Sequence, residues 1–128
     1  MRILLDTVAF LWAVTDAPDL SDDARELFAD PGNEVYLSSV SAWEISVKNA
    51  LGKLPLPDSP VRYIPAQRKR HAIETLHLDE EAALHLNRLP VLHKDPFDRM
   101  LVCQAIAQGL VILTPDRLIA QYPVRTIW

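Results

Sequence analysis

Three short apolar runs limit what this chain can fold into more than any other feature. They are Ile3-Leu4-Leu5, Val35-Tyr36-Leu37 and Val111-Ile112-Leu113, each apolar at consecutive positions. Strands buried on both faces read this way, whereas half-exposed antiparallel strands alternate apolar and polar residues. Between them lie helix-like stretches, such as Thr7–Val14 with Val8, Leu11, Trp12 and Val14 apolar. Strands alternating with helices predict an α/β fold, a parallel sheet with helices on both faces. Crossovers in such sheets are right-handed, and ligands bind outside the carboxyl ends of the strands.

The rest of the chain follows the same alternation. Arg2–Leu5 reads as the first strand and Val35–Ser38 as the second. Ser21-Asp22-Asp23 starts a helix, with Ser21 as N-cap and acids in the first turn, and Pro31-Gly32-Asn33 ends it. Ser41–Leu51 reads as a helix closed by Gly52. Four prolines make Leu54–Pro65 a loop with at most a broken helix after it. Ala72–Leu76 is a weak strand candidate, and Asp79–Leu89 a helix capped by Asp79. Pro96–Gln108 is the strongest helix, stopped by Gly109; Val111–Thr114 is a strand, Pro115–Gln121 a short helix and Val124–Trp128 a last strand. The 128 residues predict one domain, 1–128.

Composition excludes several classes. Apolar residues make up 49% and charged residues 23%, an ordinary globular balance. The single cysteine, Cys103, permits no disulfide within the chain and reads as a core thiol. Arg2 to Val14 has the length of a secretory leader, but Asp6 interrupts it and no small-residue cleavage site follows. No run approaches the ~20 residues of a membrane span, so a cytoplasmic location is expected. The net charge of -4 argues against tight nonspecific nucleic-acid binding.

Four acids lie just past apolar runs: Asp6, Glu44, Asp98 and Asp116. In a parallel sheet they can meet at one edge. Four carboxylates in one pocket repel each other and demand a divalent cation. Setting them aside leaves 13 acidic against 13 basic residues, a neutral surface open to a nucleic-acid substrate. Each acid also has a structural reading. Ser41-Ala42-Trp43-Glu44 fits a capping box, Asp95-Pro96-Phe97-Asp98 a capped helix start, and Thr114-Pro115-Asp116 another. Asp6 could cap the helix from Thr7, yet a cap contributes only ~1 kcal/mol and needs no charge. A charge at the end of an apolar strand is costly unless compensated, so Asp6 has the weakest structural excuse.

These pieces in order resemble the PIN-domain nucleases, in particular the toxins of VapBC-type toxin–antitoxin systems. The matching segments are Arg2-Ile3-Leu4-Leu5-Asp6-Thr7, Ser38-Ser39-Val40-Ser41-Ala42-Trp43-Glu44-Ile45, Gly52-Lys53-Leu54, Leu89-Pro90, His93-Lys94-Asp95-Pro96-Phe97-Asp98-Arg99 and Thr114-Pro115-Asp116. The run from His93 to Arg99, in sequence with the others, is the most specific. The resemblance implies a three-layer α/β/α sandwich with a central, mainly parallel sheet of four or five strands. It implies Mg²⁺ or Mn²⁺ held by Asp6, Glu44, Asp98 and Asp116, RNA cleavage, a homodimer, and inhibition by a small DNA-binding antitoxin. Val8 departs from the family, which often carries a polar residue after Asp-Thr.

Asp6 and Asp98 are the expected direct ligands, with Glu44 and Asp116 acting through water or at a second metal position. Thr7 and Thr114 are expected to orient carboxylates. Asp95 reads as an N-cap first, and Arg99 could touch phosphate or pair with a site acid. Arg68-Lys69-Arg70-His71 reads as solvated surface, and Trp12, Trp43 and Trp128 as core or interface. Among the histidines, His93 lies closest to the motif. A receiver-like phosphoacceptor would want paired acids after the first strand, and a dehalogenase-type phosphatase Asp-x-Asp; the chain has Asp6-Thr7-Val8. A degenerate PIN module that only binds a partner remains a further alternative, which loss of a metal acid would signal.

Overall fold

Five strands, β1 (Arg2–Leu5), β2 (Glu34–Ser38), β3 (Glu74–Leu76), β4 (Val111–Leu113) and β5 (Thr126–Ile127), form one sheet in the order β3-β2-β1-β4-β5, every neighbouring pair parallel. The structure is a computed structural model and describes residues 1–128. The helices are α1 (Thr7–Val14), α2 (Asp22–Ala29), α3 (Ser39–Ala50), α4 (Pro60–His71), α5 (Glu80–His85) and α6 (Pro96–Gln108). No helix is long and apolar enough to cross a membrane.

The apolar runs behave as doubly buried strands. Along β1, Ile3 and Leu5 join one core cluster while Leu4 joins the other. The first cluster adds Ala9, Phe10 and Ala13 of α1, Ala24 of α2 and Ile64 of α4. The second adds Ala82 of α5, Leu101, Val102 and Cys103 of α6, and Ile112 of β4. Two cores on the two faces of one sheet make the expected three-layer sandwich. Cys103 is fully buried, as a core thiol should be. Ser38 ties the layers together: its Oγ donates to Gln104 Oε1 of α6 (2.5 Å) and accepts from Val40 N–H (3.0 Å).

Several expected boundaries move. Helix α3 starts at Ser39 with Ser38 as its cap, so the Ser41–Glu44 capping box is absent. The prolines do not keep the second half of Leu54–Pro65 a loop, because α4 already starts at Pro60 and runs unbroken to His71. Pro60 occupies the first turn, where its missing N–H costs nothing, and Pro65 lies exposed, where water can serve the freed carbonyl. The basic residues 68–71 form the last turn of α4. Arg68 there donates to Leu37 O (3.1 Å) and Glu74 O (2.8 Å), so it clamps the helix to the sheet and is not mere solvated surface. Helix α5 gives way at Leu86 to a 3-10 turn over Leu86–Arg88. Pro115–Gln121 contains only a 3-10 turn, Ile119–Gln121, and the last strand is confined to Thr126–Ile127. Trp12 and Trp128 pack against each other with ring centroids 5.8 Å apart, beside the first core. Trp43 is 62% exposed, against the core reading, and meets the Phe97 ring edge-on.

Phe10 is fully buried between α1 and the sheet. Phe10→Ala should therefore destabilise the protein by about 3–5 kcal/mol in urea unfolding. A loss under about 1 kcal/mol would mean that α1 does not seal that face.

Candidate metal and active site

Strand order reverses at β1, whose neighbours are β2 on one side and β4 on the other. That reversal is a topological switch point, the place where open parallel sheets bind ligands. The residues that end β1 and follow β4 open a cleft there of about 250 Å³, lined by Asp6, Glu44, Asp98 and Asp116. Thr7, Val8, Leu11, Lys48, Leu54, Asp95 and Pro115 complete it. Helices α1 and α3 begin at this edge because each leaves the carboxyl end of a strand, and α6 begins there because it runs back to the amino end of β4. Their amino termini bring positive dipole ends to the acids.

Asp6 follows β1 directly and is 4% exposed. Its Oδ1 accepts from Ala9 N–H (2.7 Å), capping α1, and its Oδ2 accepts from the Thr114 hydroxyl (2.5 Å). Both readings of this residue therefore hold, cap and cleft acid. Thr114 Oγ1 also accepts from Asp116 N–H (3.0 Å), so one hydroxyl joins the loop after β4 to the end of β1. Glu44 lies in the second turn of α3. Thr7 donates its hydroxyl to Glu44 Oε1 (2.6 Å) and lies 2.9 Å from Ser41 Oγ, while Lys48 pairs with Glu44 Oε2 (2.5 Å). Asp98 is the third residue of α6. Asp95 caps that helix, its Oδ1 accepting from Phe97 N–H (2.8 Å) and Asp98 N–H (3.3 Å). Asp116 accepts from Leu118 N–H (2.8 Å) and from the His93 ring (2.9 Å).

Arg99 pairs with no site acid; its Nε is buried without a partner. Val8, the departure noted after Asp6-Thr7, presents an apolar side chain to the cleft. Arg70 and His71 line a separate hollow with Asn33 and Val35, near the start of β2 and away from the acids. Two residues that touch the cleft acids carry only a weak signal in the sequence. Lys48 lies four residues after Glu44, a helical spacing that pairs an acid with a base. His93 stands between Asp98 and Asp116, with these ligand atoms all within 4.8 Å of one another.

Buried Glu44 has Lys48 as a cationic partner, whereas Asp6 has none. Burial is the main cause that raises Asp6 to about 6, with Asp116 and Glu44 adding to it against the bonds from Thr114 and Ala9. Burial likewise raises Asp98 to about 7, helped by Asp95, Glu44 and Asp6, while His93 opposes the shift. Lys48 is held more firmly charged by its bond to Glu44. The donors converging on the cleft are mostly carboxylate oxygens, which suits a hard cation such as Mg²⁺ or Mn²⁺. A divalent ion would keep Asp6 and Asp98 ionised, so the residues fit such a group.

Both acids titrate higher in the folded chain than the usual carboxylate value, so folding favours their protonated forms. Their contribution to stability is full below about pH 4 and is lost as pH rises through about 6–7. In chelator, wild type should lose about 3 kcal/mol relative to Asp6→Asn between about pH 4 and pH 8. Saturating Mn²⁺ should restore wild type and leave the variant unchanged. Parallel pH profiles in thermal melts would contradict this account of Asp6.

Comparison with known proteins agrees with this geometry. The chain matches the PIN domain family over residues 3–124. It is 35% identical over 69 residues to Ribonuclease VapC16 of Mycobacterium tuberculosis (strain ATCC 25618 / H37Rv), across 54% of this chain and 49% of that relative. The chain thus matches about half the length of that relative. Its fold is similar to the crystal structure of VapBC2 from Rickettsia felis bound to a promoter DNA fragment: TM-score 0.74, 18% identity, 99% of this chain and 98% of the other. It is similar too to DNA-bound VapBC from Salmonella typhimurium: TM-score 0.67, 22% identity, 99% and 97% coverage. The order of motifs, the parallel five-stranded sheet with acids at its switch point, and the family match across nearly all of the sequence make this chain a member of the PIN domain family.

Proposed function

We propose that this protein is a Mg²⁺- or Mn²⁺-dependent endoribonuclease and the toxin half of a toxin–antitoxin pair. The observation that carries the reading is the convergence of Asp6, Glu44, Asp98 and Asp116 on one cleft at the switch point of the sheet. The similarity to a protein named as a ribonuclease, and to VapBC complexes solved with DNA, supports the choice of substrate and partner. The substrate is RNA, the partner a small DNA-binding antitoxin, and the working form a homodimer in the cytoplasm. Residues 1–128 act as one nuclease domain.

The reaction is phosphodiester hydrolysis. Asp6 and Asp98 would hold the Mg²⁺ or Mn²⁺, which supplies Lewis-acid polarisation of a phosphate oxygen and an acidified water. Thr114 and the Ala9 N–H fix both oxygens of Asp6, leaving its carboxylate one orientation toward the cleft. Glu44, unlike Asp6, already has a cationic partner in Lys48, which suits contact with a metal through water. Asp116 stands on the rim, 31% exposed at its side chain, where a second metal position could be completed as RNA arrives. Lys48 lines the same cleft and brings a cation close to an incoming phosphate, offsetting the repulsion from the acids. Asp95 serves as the cap that sets the first turn of α6, and so the place of Asp98. The surplus of acids argues for an RNA recognised by shape at a metal-loaded site and against a broad electrostatic grip.

Metal-dependent cleavage of single-stranded RNA should distinguish this reading from a purely binding module. Asp6→Asn and Asp98→Asn should each lose more than the ~10–100-fold typical of outer-shell changes, and chelator should abolish wild-type cleavage. Equal activity in wild type and both variants would refute the assignment. Mn²⁺ uptake without cleavage of any RNA would favour the binding module.

A further inference from the structure

One side chain beside the cleft acids has a proton position that the backbone dictates. The Asp95 backbone N–H donates to His93 Nδ1 (3.1 Å). A backbone N–H can only donate, so Nδ1 presents its lone pair and the neutral ring carries its hydrogen on Nε2. That Nε2 lies 2.9 Å from Asp116 Oδ2 and 3.1 Å from Asp98 Oδ2. The ring is anchored from behind as well. The buried Tyr122 hydroxyl accepts from Leu92 N–H (3.2 Å) and His93 N–H (2.9 Å), which holds the backbone on which the ring is mounted.

We propose that His93 is a positioning residue of the metal site, whose Nε2–H holds the Asp116 and Asp98 carboxylates together so that the pair is assembled before the cation arrives. The inference rests on the nuclease reading and deepens it. A histidine that ligates metal through Nε2 has the opposite arrangement, with Nδ1–H donating to an acceptor. Here Nδ1 accepts, so Nε2 is occupied by hydrogen and cannot take the metal while the Asp95 bond persists. The chain needs this device because Asp116 sits on a loop after β4 and Asp98 on α6, with no covalent or sheet link between them. Without the ring, their mutual repulsion would drive the loop and the helix start apart, and a cation would have to reassemble them.

The tautomer is read first, by long-range ¹⁵N–¹H correlation on metal-free wild type at pH 8. Hydrogen on Nε2 is expected; hydrogen on Nδ1, or a ring averaging between the two, overturns the proposal. Mn²⁺ binding to wild type, His93→Ala and His93→Gln is then measured by calorimetry. His93→Ala should bind about 10-fold or more weakly, and His93→Gln, which keeps a donor near the Nε2 position, should recover most of the loss. Wild-type affinity in His93→Ala overturns the proposal, as does equal loss in both variants with unchanged thermal unfolding. Electron spin echo spectra of Mn²⁺-loaded wild type should lack the nitrogen coupling of a directly bound imidazole, and its presence would make His93 a ligand instead. Wild type that takes up no Mn²⁺ while showing the Nε2–H tautomer would overturn the nuclease reading, and with it the role given to His93 toward metal.

Discussion

A carboxylate buried at the end of the central strand organises the rest of this molecule. Leu4 and Leu5 of β1 are fully buried, and the next side chain is Asp6. A charge in that position has to be stabilised from several directions, and the chain supplies those directions from far apart in sequence. Ala9 contributes a backbone N–H at the start of α1, and Thr114 a hydroxyl from beyond β4. Neither brings charge, so Asp6 stays raised to about 6 despite both bonds. At an effective dielectric of 20, two like charges within 5 Å of each other repel by about 3 kcal/mol. Asp98 and Asp116, whose ligand oxygens lie within 4.8 Å of each other, form such a pair, a common trade of stability for function.

The hydrophobic layers supply what the cleft costs. Each face of the sheet has its own apolar cluster, and strand residues alternate between them. The helices are thereby fixed against the sheet, and their amino termini are fixed at its carboxyl edge. Ser38 and Gln104 form a polar link between β2 and α6 inside this apolar frame. That link sets α6 relative to α3, and so Asp98 relative to Glu44. The precision of the acids is thus inherited from packing several ångströms away from them.

Within the cleft the acids divide by what else they do. Asp95 is spent on capping α6. Asp6 caps a helix with one oxygen and accepts from Thr114 with the other. Glu44 is shared between a hydroxyl and Lys48, which neutralises it in place. Asp98 is the one raised furthest, because burial and three neighbouring acids act together. The graded environments explain why four chemically similar side chains need not play equal parts.

Much of the architecture was legible in the sequence because strand burial and helix caps are local signals. Ile3-Leu4-Leu5 and Val111-Ile112-Leu113 announced doubly buried strands, and Ser21, Asp79 and Asp95 cap helices as their positions suggested. The first half of α4 reads as a loop in the sequence because proline at the first turn and proline on a solvent face both escape the usual penalty, which composition does not reveal. The Ser41–Glu44 box failed for a related reason: Ser38 took the cap, and Ser41 and Glu44 turned instead to Thr7. The sequence by itself determined which residues could form strands, which could start helices, and that four acids would lie just past apolar runs. Only the tertiary structure decided that Thr114 would reach Asp6 across 108 positions, that Lys48 would face the cleft, and that His93 would stand between Asp98 and Asp116. Those contacts depend on how parallel strands are ordered in the sheet, and strand order is set by the packing of the whole chain, not by any local run of residues.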